Sequence, residues 1–427
     1  MPNPIPAVAV SAPLPSAAAL EVNGRAYGWP RRPTVVVCFD GCDPAYIDAA
    51  RAAGVVPTIE RMIRGGFHDI ALAAMPTFTN PNNVSIVCGA PPAVHGVSGN
   101  YYLDRASGRE IMMLDASLLR APTILACFSQ AGARVAAVTA KDKLRKALGH
   151  DLHGIAFSAE KADAATMPEH GIDEVPALVG RGTPDPYSAD LSLFVLDAGI
   201  RLLETRRPEL LYLSLSDYVQ HKHAPGTPEA NDFMRAVDAR FAALIARGAT
   251  LGIVADHGMT DMARPDGTPA VLYLGDRLDD AFGRDATRVI CPITDPFVRH
   301  HGALGGFVRV HLMRDDLDAD AVAAFVRALP GVQHALRTDE ACARLELPPD
   351  READIVVVAA RGIALGARAA DHDLSQLAGE RLRSHGSLAE QPVPFLLSHP
   401  LTADYAARAA NGLRNFDIFD FAINGVA

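Results

Sequence analysis

Residues 34–40 of this chain read TVVVCFD, an apolar run that ends on Asp40. Two later apolar runs end in the same way: LLYLSLSD stops at Asp217, and LGIVADH carries Asp256 with His257 directly behind it. Because continuous apolar runs of this length are typical of strands buried on both faces, the three runs predict parallel strands of one sheet. Ligands of open α/β sheets bind just beyond the carboxyl ends of the strands, so we expect the three carboxylates to meet there.

The rest of the chain alternates between strand and helix patterns, which predicts a doubly wound, mostly parallel α/β sheet with helices on both faces. The stretch 133–141 indicates a further strand of this sheet. Within 264–368 the segments FVRVHLM, AVAAFVRAL and DIVVVAA form a shorter β-α-β set, which predicts a small inserted α+β cap domain. The core is then 23–263 with 369–427, preceded by a disordered or extended tail, 1–22. Helices are predicted at about 44–65, about 82–89, 189–206 and 228–247.

The composition points to small-molecule chemistry. The formal net charge is -10, whereas a surface for nucleic acid or acidic lipid needs a basic face, so we expect neither partner. No run reaches the roughly 18 apolar residues of a membrane span. The proline-rich start lacks the basic residues of a signal peptide, which predicts a cytoplasmic location, with the periplasm as the less favoured alternative. The six cysteines are scattered, and we expect reduced core residues, including Cys38 and Cys42.

Histidines accompany two of the three aspartates. Asp217 is followed by YVQHKH, and His221, four residues on, shares its side of a helical turn. His223 competes with His221, although its spacing suits an extended chain better. Asp256 and His257 are adjacent at a strand end, where a turn brings both side chains inward. These pairs supply the oxygen and imidazole ligands that divalent metals bind.

A last candidate ligand, His385, lies far downstream in SHGSLAEQPVPFLLS, in a loop that leads to a closing strand. Taken singly, each of these residues has an ordinary alternative role as a turn or surface residue. The same chemistry at the end of every strong apolar strand favours a metal site instead. The candidates outnumber the ligands of one tetrahedral ion, which predicts two metals. The candidate ligands are Asp40, Asp217, Asp256, His221, His257 and His385.

A candidate nucleophile is Thr79, in the segment MPTFTNPNN. A hydroxyl just before Pro81 and an apolar helical stretch is also typical of a helix N-cap, and the two roles are compatible. The N–H groups of a helix N-terminus can donate hydrogen bonds to a phosphoryl oxygen, and a metal ion activates a hydroxyl for attack. Thr77 and Ser85 are the alternative hydroxyls.

Six motifs together resemble the alkaline phosphatase superfamily, in order and over nearly the whole chain. They are FDG around Asp40, PTFTNPNN around Thr79, HGVSGN ending at Asn100, SDYVQHKH around Asp217 and His221, ADHGM around Asp256 and His257, and SHGSLAEQPVPFLL around His385. More narrowly, VNGRAYGWPRRPTVVVCFDGCDPAYI and TAKDKLR resemble the phosphonoacetate hydrolases, which belong to the nucleotide pyrophosphatase/phosphodiesterase-like branch.

The resemblance implies an alkaline phosphatase-like core, two zinc ions and hydrolysis of the carbon–phosphorus bond of phosphonoacetate. Thr79 would be the nucleophile and form a phosphothreonine, and Asn100 would hold a phosphoryl oxygen. Asp/His sites also accept Mn²⁺ or Fe²⁺. We expect a homodimer. The implied ligands of one zinc are Asp217, His221 and His385, and those of the other are Asp40, Thr79, Asp256 and His257.

The lysines indicate how a second anionic group on the substrate is bound. Only five of the 40 basic residues are lysines, and three of them fall in TAKDKLRK. Two Zn²⁺ ions are balanced by three aspartates and a threonine alkoxide, so a substrate carboxylate needs further cations. Lys141 and Lys143, two apart at a strand end, can face the same way and supply them. The alternative is a solvated helix start.

Three other functions stay open. A nucleotide pyrophosphatase or phosphodiesterase would use the same ligands with stacking aromatic residues, for which Tyr101, Tyr102 and Tyr218 are candidates. A phosphoglycerate mutase-like enzyme is less favoured because it would have a serine nucleophile. A metal-binding module without catalysis is least favoured, since all expected ligands are present. Five further histidines are expected at the surface or in the cap: His300, His301, His311, His372 and His399.

Overall fold

The computed structural model describes residues 19–105, 107–295, 302–377 and 379–427. Its twelve strands in two larger sheets follow one another along the chain. They are β1 (Thr34–Cys38), β2 (Phe67–Leu72), β3 (Val135–Thr139), β4 (Ile155–Ser158), β5 (Leu210–Ser214), β6 (Thr250–Val254), β7 (Thr287–Ile290), β8 (Phe307–Leu312), β9 (Val332–Arg337), β10 (Ile355–Ala359), β11 (Pro392–Leu397) and β12 (Leu413–Arg414).

The central sheet has eight strands in the order β12-β2-β11-β6-β1-β5-β3-β4. Strands β6, β1, β5, β3 and β4 are parallel, and β11 runs antiparallel to both of its neighbours. Every residue of β1, β3, β5 and β6 is buried, as the apolar runs predict for strands covered on both faces. The predicted doubly wound, mostly parallel fold is therefore confirmed.

Helices cover the two faces of this sheet. The prediction of one helix over 44–65 is wrong, because Gly54 adopts a left-handed φ of 69° and Pro57 starts a second helix. The helices are α1 (Pro44–Ala52), α2 (Pro57–Gly65), α3 (Thr79–Cys88), α4 (Pro92–His95), α5 (Ile124–Gln130), α6 (Asp142–Leu148), α7 (Met167–His170), α8 (Val175–Val179), α9 (Ala189–Thr205), α10 (Tyr218–Lys222), α11 (Pro228–Ala246), α12 (Leu274–Phe282), α13 (Ala319–Arg327), α14 (Thr338–Leu345), α15 (Ala403–Ala409) and α16 (Ile418–Asp420).

A second sheet has the order β7-β8-β10-β9, and all its pairings are antiparallel. It packs with α12, α13 and α14 around a hydrophobic core of its own. The α+β cap is thus confirmed as part of the fold class, but the expected β-α-β set is a four-stranded antiparallel sheet. Its strands β7 and β9 carry too little continuous apolar sequence to be recognised. The cap boundaries at 264 and 368 stay a prediction, which this separate core supports.

Short two-stranded pairs complete the described fold. In the predicted tail, Leu20–Val22 is extended and pairs with Arg25–Tyr27, while residues 1–18 lie outside the described part of the chain. The other two-stranded pairs are Tyr101–Asp104 with Arg109–Met112, Thr260–Asp261 with Arg383–Ser384, and Val271–Tyr273 with Ala364–Gly366.

The six cysteines form no disulfide. None of the helices in the described ranges is both long enough and apolar enough to cross a membrane.

Candidate metal centre and active site

The three aspartates that follow the apolar strands meet at one edge of the central sheet. Asp256 follows β6, Asp40 follows β1 and Asp217 follows β5, and these strands are direct neighbours. Asp40 and Asp256 are buried, and Asp217 is the N-cap residue of α10. Strand order alone therefore brings together carboxylates that are far apart in sequence.

Two Asp/His groups form at this edge. One consists of Asp217, His221 and His385, and the other of Asp40, Asp217 and His257. Within each group one ligand atom per residue lies within 4.8 Å of the others. Asp217 belongs to both groups, whereas the family resemblance places it on one ion only. The structure thus brings the predicted ligands together and makes Asp217 the residue common to both groups.

Asp256 lies beside these groups and is held by hydrogen bonds. Its Oδ1 accepts the backbone N–H groups of Gly41 (3.1 Å) and His257 (3.0 Å), and its Oδ2 accepts the Asn83 side chain (3.1 Å). Oδ2 is also 3.9 Å from His257 Nε2. Its position next to the second group agrees with the predicted role as a ligand, which stays a prediction.

Each candidate histidine is oriented by a backbone carbonyl. His221 Nδ1 lies 2.7 Å from Arg383 O, His257 Nδ1 2.8 Å from Gly258 O, and His385 Nδ1 2.7 Å from Thr77 O. A carbonyl only accepts, so Nδ1 carries the proton in each ring and Nε2 is left with its lone pair. This arrangement of a fixed tautomer with an outer hydrogen bond is typical of histidines that bind metals.

The donor set fits a cation. Asp217 Oδ2 and His221 Nε2 lie 2.7 Å apart, and two lone-pair atoms at this distance need a proton or a cation beside them. Asp40 Oδ1 is buried and accepts no hydrogen bond from the described residues. Burial, followed by repulsion from Asp217 and Asp256, raises the pKa of Asp40 well above its usual range. Burial, with His257 and His221 close by, lowers the pKa of His385.

The raised pKa of Asp40 predicts a pH-dependent stability of the metal-free protein. Because the folded-state pKa of Asp40 is raised, stability is lost as pH rises from the ordinary carboxyl range toward that raised pKa. Asp40→Asn removes the charge, so the chelator-treated variant should melt above the chelator-treated wild type, by about 3 °C or more at pH 8. The difference should shrink at pH 5. Thermal unfolding in a chelator measures it, and a pH-independent difference would contradict the assignment.

Thr79 is the first residue of α3, and its hydroxyl points to the second group. Oγ1 lies 3.2 Å from His257 Nε2. The compatible N-cap role is wrong, because Phe78 is the N-cap residue and no side chain caps this helix. The alternative hydroxyls are engaged elsewhere: Thr77 donates to Ser387 O (2.9 Å), and Ser85 pairs with His95 (2.8 Å). Thr79 is therefore the hydroxyl that meets the Asp/His groups.

A cavity of about 290 Å³ opens over the Asp/His groups. Four of the five lysines line it, together with Thr79 and Asn100. Lys143 Nζ pairs with Asp295 Oδ2 at 2.7 Å, and burial lowers the pKa of Lys143 while Asp295 opposes this shift. Lys141 Nζ donates to Pro186 O (3.0 Å) and lies 5.1 Å from the Tyr187 ring centre. The two predicted lysines thus share one cavity with the metal candidates.

The sequence and structure are similar to known proteins. The family of type I phosphodiesterases and nucleotide pyrophosphatases matches residues 34–387. The chain belongs to this family. Phosphonoacetate hydrolase from Sinorhizobium meliloti 1021 in complex with phosphonoformate is 49% identical, with a TM-score of 0.90, over 96% of this chain and 99% of that one. The same enzyme in complex with phosphonoacetate is 48% identical, with a TM-score of 0.89 and the same coverage.

A more distant member shares the fold of the family. Murine ectonucleotide pyrophosphatase/phosphodiesterase 5 is 17% identical with a TM-score of 0.61, over 91% of this chain and 94% of that one. The resemblance read from the motifs is therefore confirmed, both for the superfamily and for similarity to phosphonoacetate hydrolase.

The structure places several of the candidate residues away from the Asp/His groups. His223 lies outside both Asp/His groups and 3.9 Å from Glu229. Of the three tyrosines, Tyr218 lines the cavity, whereas Tyr101 donates to Glu110 and Tyr102 lies in the strand pair at 101–112. Three other histidines pair locally, and two lie outside the described residues. His311 contacts Arg105, His372 contacts Gly302, and His399 contacts Arg32, whereas His300 and His301 are not described.

Sequence reasoning missed Asn83, which links three parts of the site. Its Nδ2 donates to Asp256 Oδ2 (3.1 Å) and to Thr79 O (3.0 Å). Its Oδ1 accepts the hydroxyls of Tyr212 (2.7 Å) and Ser214 (2.8 Å). The motif PTFTNPNN contains this residue, but all three of its asparagines are buried, and the motif gives no sign of which one contacts Asp256. Asp295 and Tyr187 were missed because neither follows a strong apolar strand.

Proposed function

We propose that this chain is a phosphonoacetate hydrolase that releases acetate and phosphate through a phosphothreonine on Thr79. The observation that carries the proposal is the content of one cavity, in which Thr79 and the Asp/His groups share walls with Lys141 and Lys143. The similar enzyme from Sinorhizobium meliloti, described with phosphonoacetate bound, supports this choice of substrate.

The proposed metal ligands keep the division that the resemblance implies. The first zinc has Asp217, His221 and His385, and the second has Asp40, Thr79, Asp256 and His257. When bound, two Zn²⁺ ions would lower the pKa of the threonine hydroxyl and stabilise negative charge on the phosphoryl oxygens. The fixed histidine tautomers and the clustered carboxylates support this donor set. Mn²⁺ or Fe²⁺ would suit the same ligands.

Thr79 Oγ1 loses its proton to solvent and attacks phosphorus, and the oxygen–phosphorus bond forms as the carbon–phosphorus bond breaks. The electron pair of the broken bond passes to the leaving carbon and is delocalised into its carboxylate as an enolate. A proton from water converts the enolate to acetate. A second water then attacks the phosphothreonine, releases phosphate and restores the Thr79 hydroxyl. In this scheme the Asn100 amide donates to a phosphoryl oxygen in both steps.

Lys141 and Lys143 are proposed to hold the substrate carboxylate and to stabilise the enolate that develops from it. An ammonium has three donors, so Lys143 can keep its contact with Asp295 while it binds a carboxylate. Asp295 also favours the charged form of Lys143 in a buried position. The pair therefore provides a cation for an anionic ligand in the cavity.

Lys143→Ala is predicted to act on one substrate class. It should lower kcat/KM for phosphonoacetate about 100-fold, because a buried charge pair to the carboxylate is lost. Hydrolysis of p-nitrophenyl phosphate, which has no carboxylate, should change less than about threefold by the same reasoning. Lys146→Ala is the matched control, since Lys146 lines the cavity but is half-exposed and lies 3.9 Å from Asp142. Equal losses on both substrates would contradict the carboxylate role.

The proposed function is tested by phosphate release from phosphonoacetate compared with turnover of bis-p-nitrophenyl phosphate, in zinc-loaded and chelator-treated protein. A zinc-dependent preference for phosphonoacetate is expected. Preference for the diester would favour the family's phosphodiesterase activity, for which Tyr187 and Tyr218 on the cavity wall are the supporting observation. Zinc binding without turnover of either compound would favour a metal-binding module.

The assembly and location belong to the same proposal. We infer that the protein is a homodimer in the cytoplasm, as expected from its sequence. Sedimentation equilibrium on the full chain measures the first. Fractionation of the producing cells measures the second, and recovery in the periplasmic fraction would contradict it.

A further inference from the structure

Asn100 is hydrogen-bonded both to helix α3 of the core and to the segment that follows β7 in the second unit, which consists of strands β7–β10 with helices α12–α14. Its side-chain Oδ1 accepts Asn80 Nδ2, from helix α3, at 2.5 Å. Its backbone N–H donates to Pro292 O at 2.8 Å, and its side-chain Nδ2 lies 3.3 Å from Ile293 O. The amide that the proposed function places on the phosphoryl group is therefore positioned partly by the second unit.

A buried ion pair lies behind this segment. Arg309, on β8, is 1% exposed, and the Glu352 side chain is fully buried. Nε of Arg309 donates to Oε2 of Glu352 at 2.7 Å, and Nη2 donates to Oε1 at 2.5 Å. Such a pair is bidentate and rigid, and a charge pair this deep is retained only where its remaining polar atoms are satisfied.

The remaining partner of this ion pair is Ser98, two residues before Asn100. Arg309 Nη2 donates to the Ser98 backbone carbonyl at 3.0 Å and lies 2.8 Å from Ser98 Oγ. Ser98 Oγ in turn donates to Glu352 Oε1 at 2.9 Å. The guanidinium and the carboxylate thus hold both the backbone and the side chain of Ser98.

The residue between them, Gly99, leaves the segment no room to shift. A Cβ at this position would lie 2.6 Å from Pro292 Cβ and 3.2 Å from Arg309 Nη1. The backbone from Ser98 to Asn100 is therefore packed directly against the second unit. A displacement of Ser98 has to be passed on to Asn100.

We propose that Arg309, Glu352 and Ser98 are positioning residues for the reaction, which fix the Asn100 amide against the phosphoryl group. The inference rests on the proposed function, because it assigns Asn100 its phosphoryl contact. It adds that the second sheet is part of the phosphoryl-binding apparatus and does not only cover it. None of the three residues needs to touch the substrate.

The expected effect follows from geometry. A misplacement of about 1 Å costs on the order of 100-fold in rate, and loss of an oxyanion donor costs roughly 100- to 1,000-fold. Ser98→Ala and Glu352→Gln should therefore each lower kcat for phosphonoacetate about 10- to 100-fold. Zinc content should stay unchanged, because neither residue lies in an Asp/His group.

A double-mutant cycle with Asn100→Ala tests the proposal. If the ion pair acts through Asn100, Ser98→Ala and Glu352→Gln should lower kcat no further once Asn100 is alanine. Asp238→Asn is the stability control, since Asp238 is buried, accepts the N–H groups of Thr58 and Ile59, and does not line the cavity. It should lower the Tm without lowering kcat.

The outcomes separate the two proposals. An unchanged kcat in Asn100→Ala would overturn the role of Asn100 and with it this inference. A large loss in Asn100→Ala, with equal further losses from Ser98→Ala in that background, would overturn the inference alone. Losses of kcat that follow the Tm as they do in Asp238→Asn would also overturn it. If Glu352→Gln does not fold, Ser98→Ala, which keeps the ion pair, decides the result.

Discussion

Thr79→Ala is expected to abolish turnover of phosphonoacetate, with a loss in kcat of about 10⁴-fold or more. The alternative hydroxyls of Thr77 and Ser85 are hydrogen-bonded elsewhere, and the hydroxyl oxygen of Thr79 is the atom that forms the bond to phosphorus in the proposed reaction. Its Oγ1 is 3.2 Å from His257 Nε2. Steady-state phosphate release measures the loss, and zinc content measured on the same sample should remain largely intact.

Two further variants sharpen this result. Thr79→Ser keeps a hydroxyl at the start of α3 and should retain part of the activity and form a phosphoserine that acid quenching can trap. Thr77→Ala removes an alternative nucleophile, whose hydroxyl donates to Ser387 O, and should remain active in proportion to its folded fraction. Appreciable turnover in Thr79→Ala would show direct attack by water or by another residue.

Asp217→Asn is expected to have the largest effect on metal binding. Asp217 is a proposed ligand of the first zinc and also belongs to the group with Asp40 and His257 at the second, so its loss should remove a ligand from one site and disturb the other. We expect kcat to fall by at least about 10³-fold, more than the 10- to 100-fold typical of outer-shell changes. Bound zinc should fall well below two equivalents after dialysis, measured by elemental analysis, and added zinc should restore little activity.

The matched control for this variant is Asp43→Asn. Asp43 also lies at this edge of the sheet, where it caps α1 by accepting the Ala45 N–H at 2.9 Å. Asparagine is an equally good N-cap, so this variant should keep its zinc and its activity. Two equivalents of zinc with near-normal kcat in Asp217→Asn would contradict the shared position of Asp217 in the metal centre.

The part of this architecture that depends on strand ends could be predicted from the sequence. Buried parallel strands are recognisable as continuous apolar runs, and the residues that follow these runs lie at the same edge of the sheet. For this reason the proximity of Asp40, Asp217 and Asp256 could be predicted from the sequence alone. His221 followed from its helical spacing to Asp217, and His385 from the motif that contains it.

Other features depend on packing that leaves no periodic trace. The membership of Asp217 in both groups depends on the distances between its carboxylate and the other ligand atoms, which the sequence does not give. Asn83 is oriented by the hydroxyls of Tyr212 and Ser214 on β5, which donate to its side-chain carbonyl oxygen, and these contacts join residues far apart in sequence. The contact between Lys143 and Asp295 joins the core to the second unit. Strands β7 and β9 are only partly buried, so their sequences lack the strong pattern of the central strands.

The position of β11 has a consequence for biosynthesis. This strand inserts antiparallel between β2 and β6, and His385 lies in the segment that leads into it. During translation Asp40 emerges early, whereas His385, a member of the other Asp/His group, emerges much later. A nascent chain that still lacks β11 leaves an open gap in the sheet and an incomplete set of ligands. Loading of both sites with metal is therefore expected only after the ribosome has made the chain through β11.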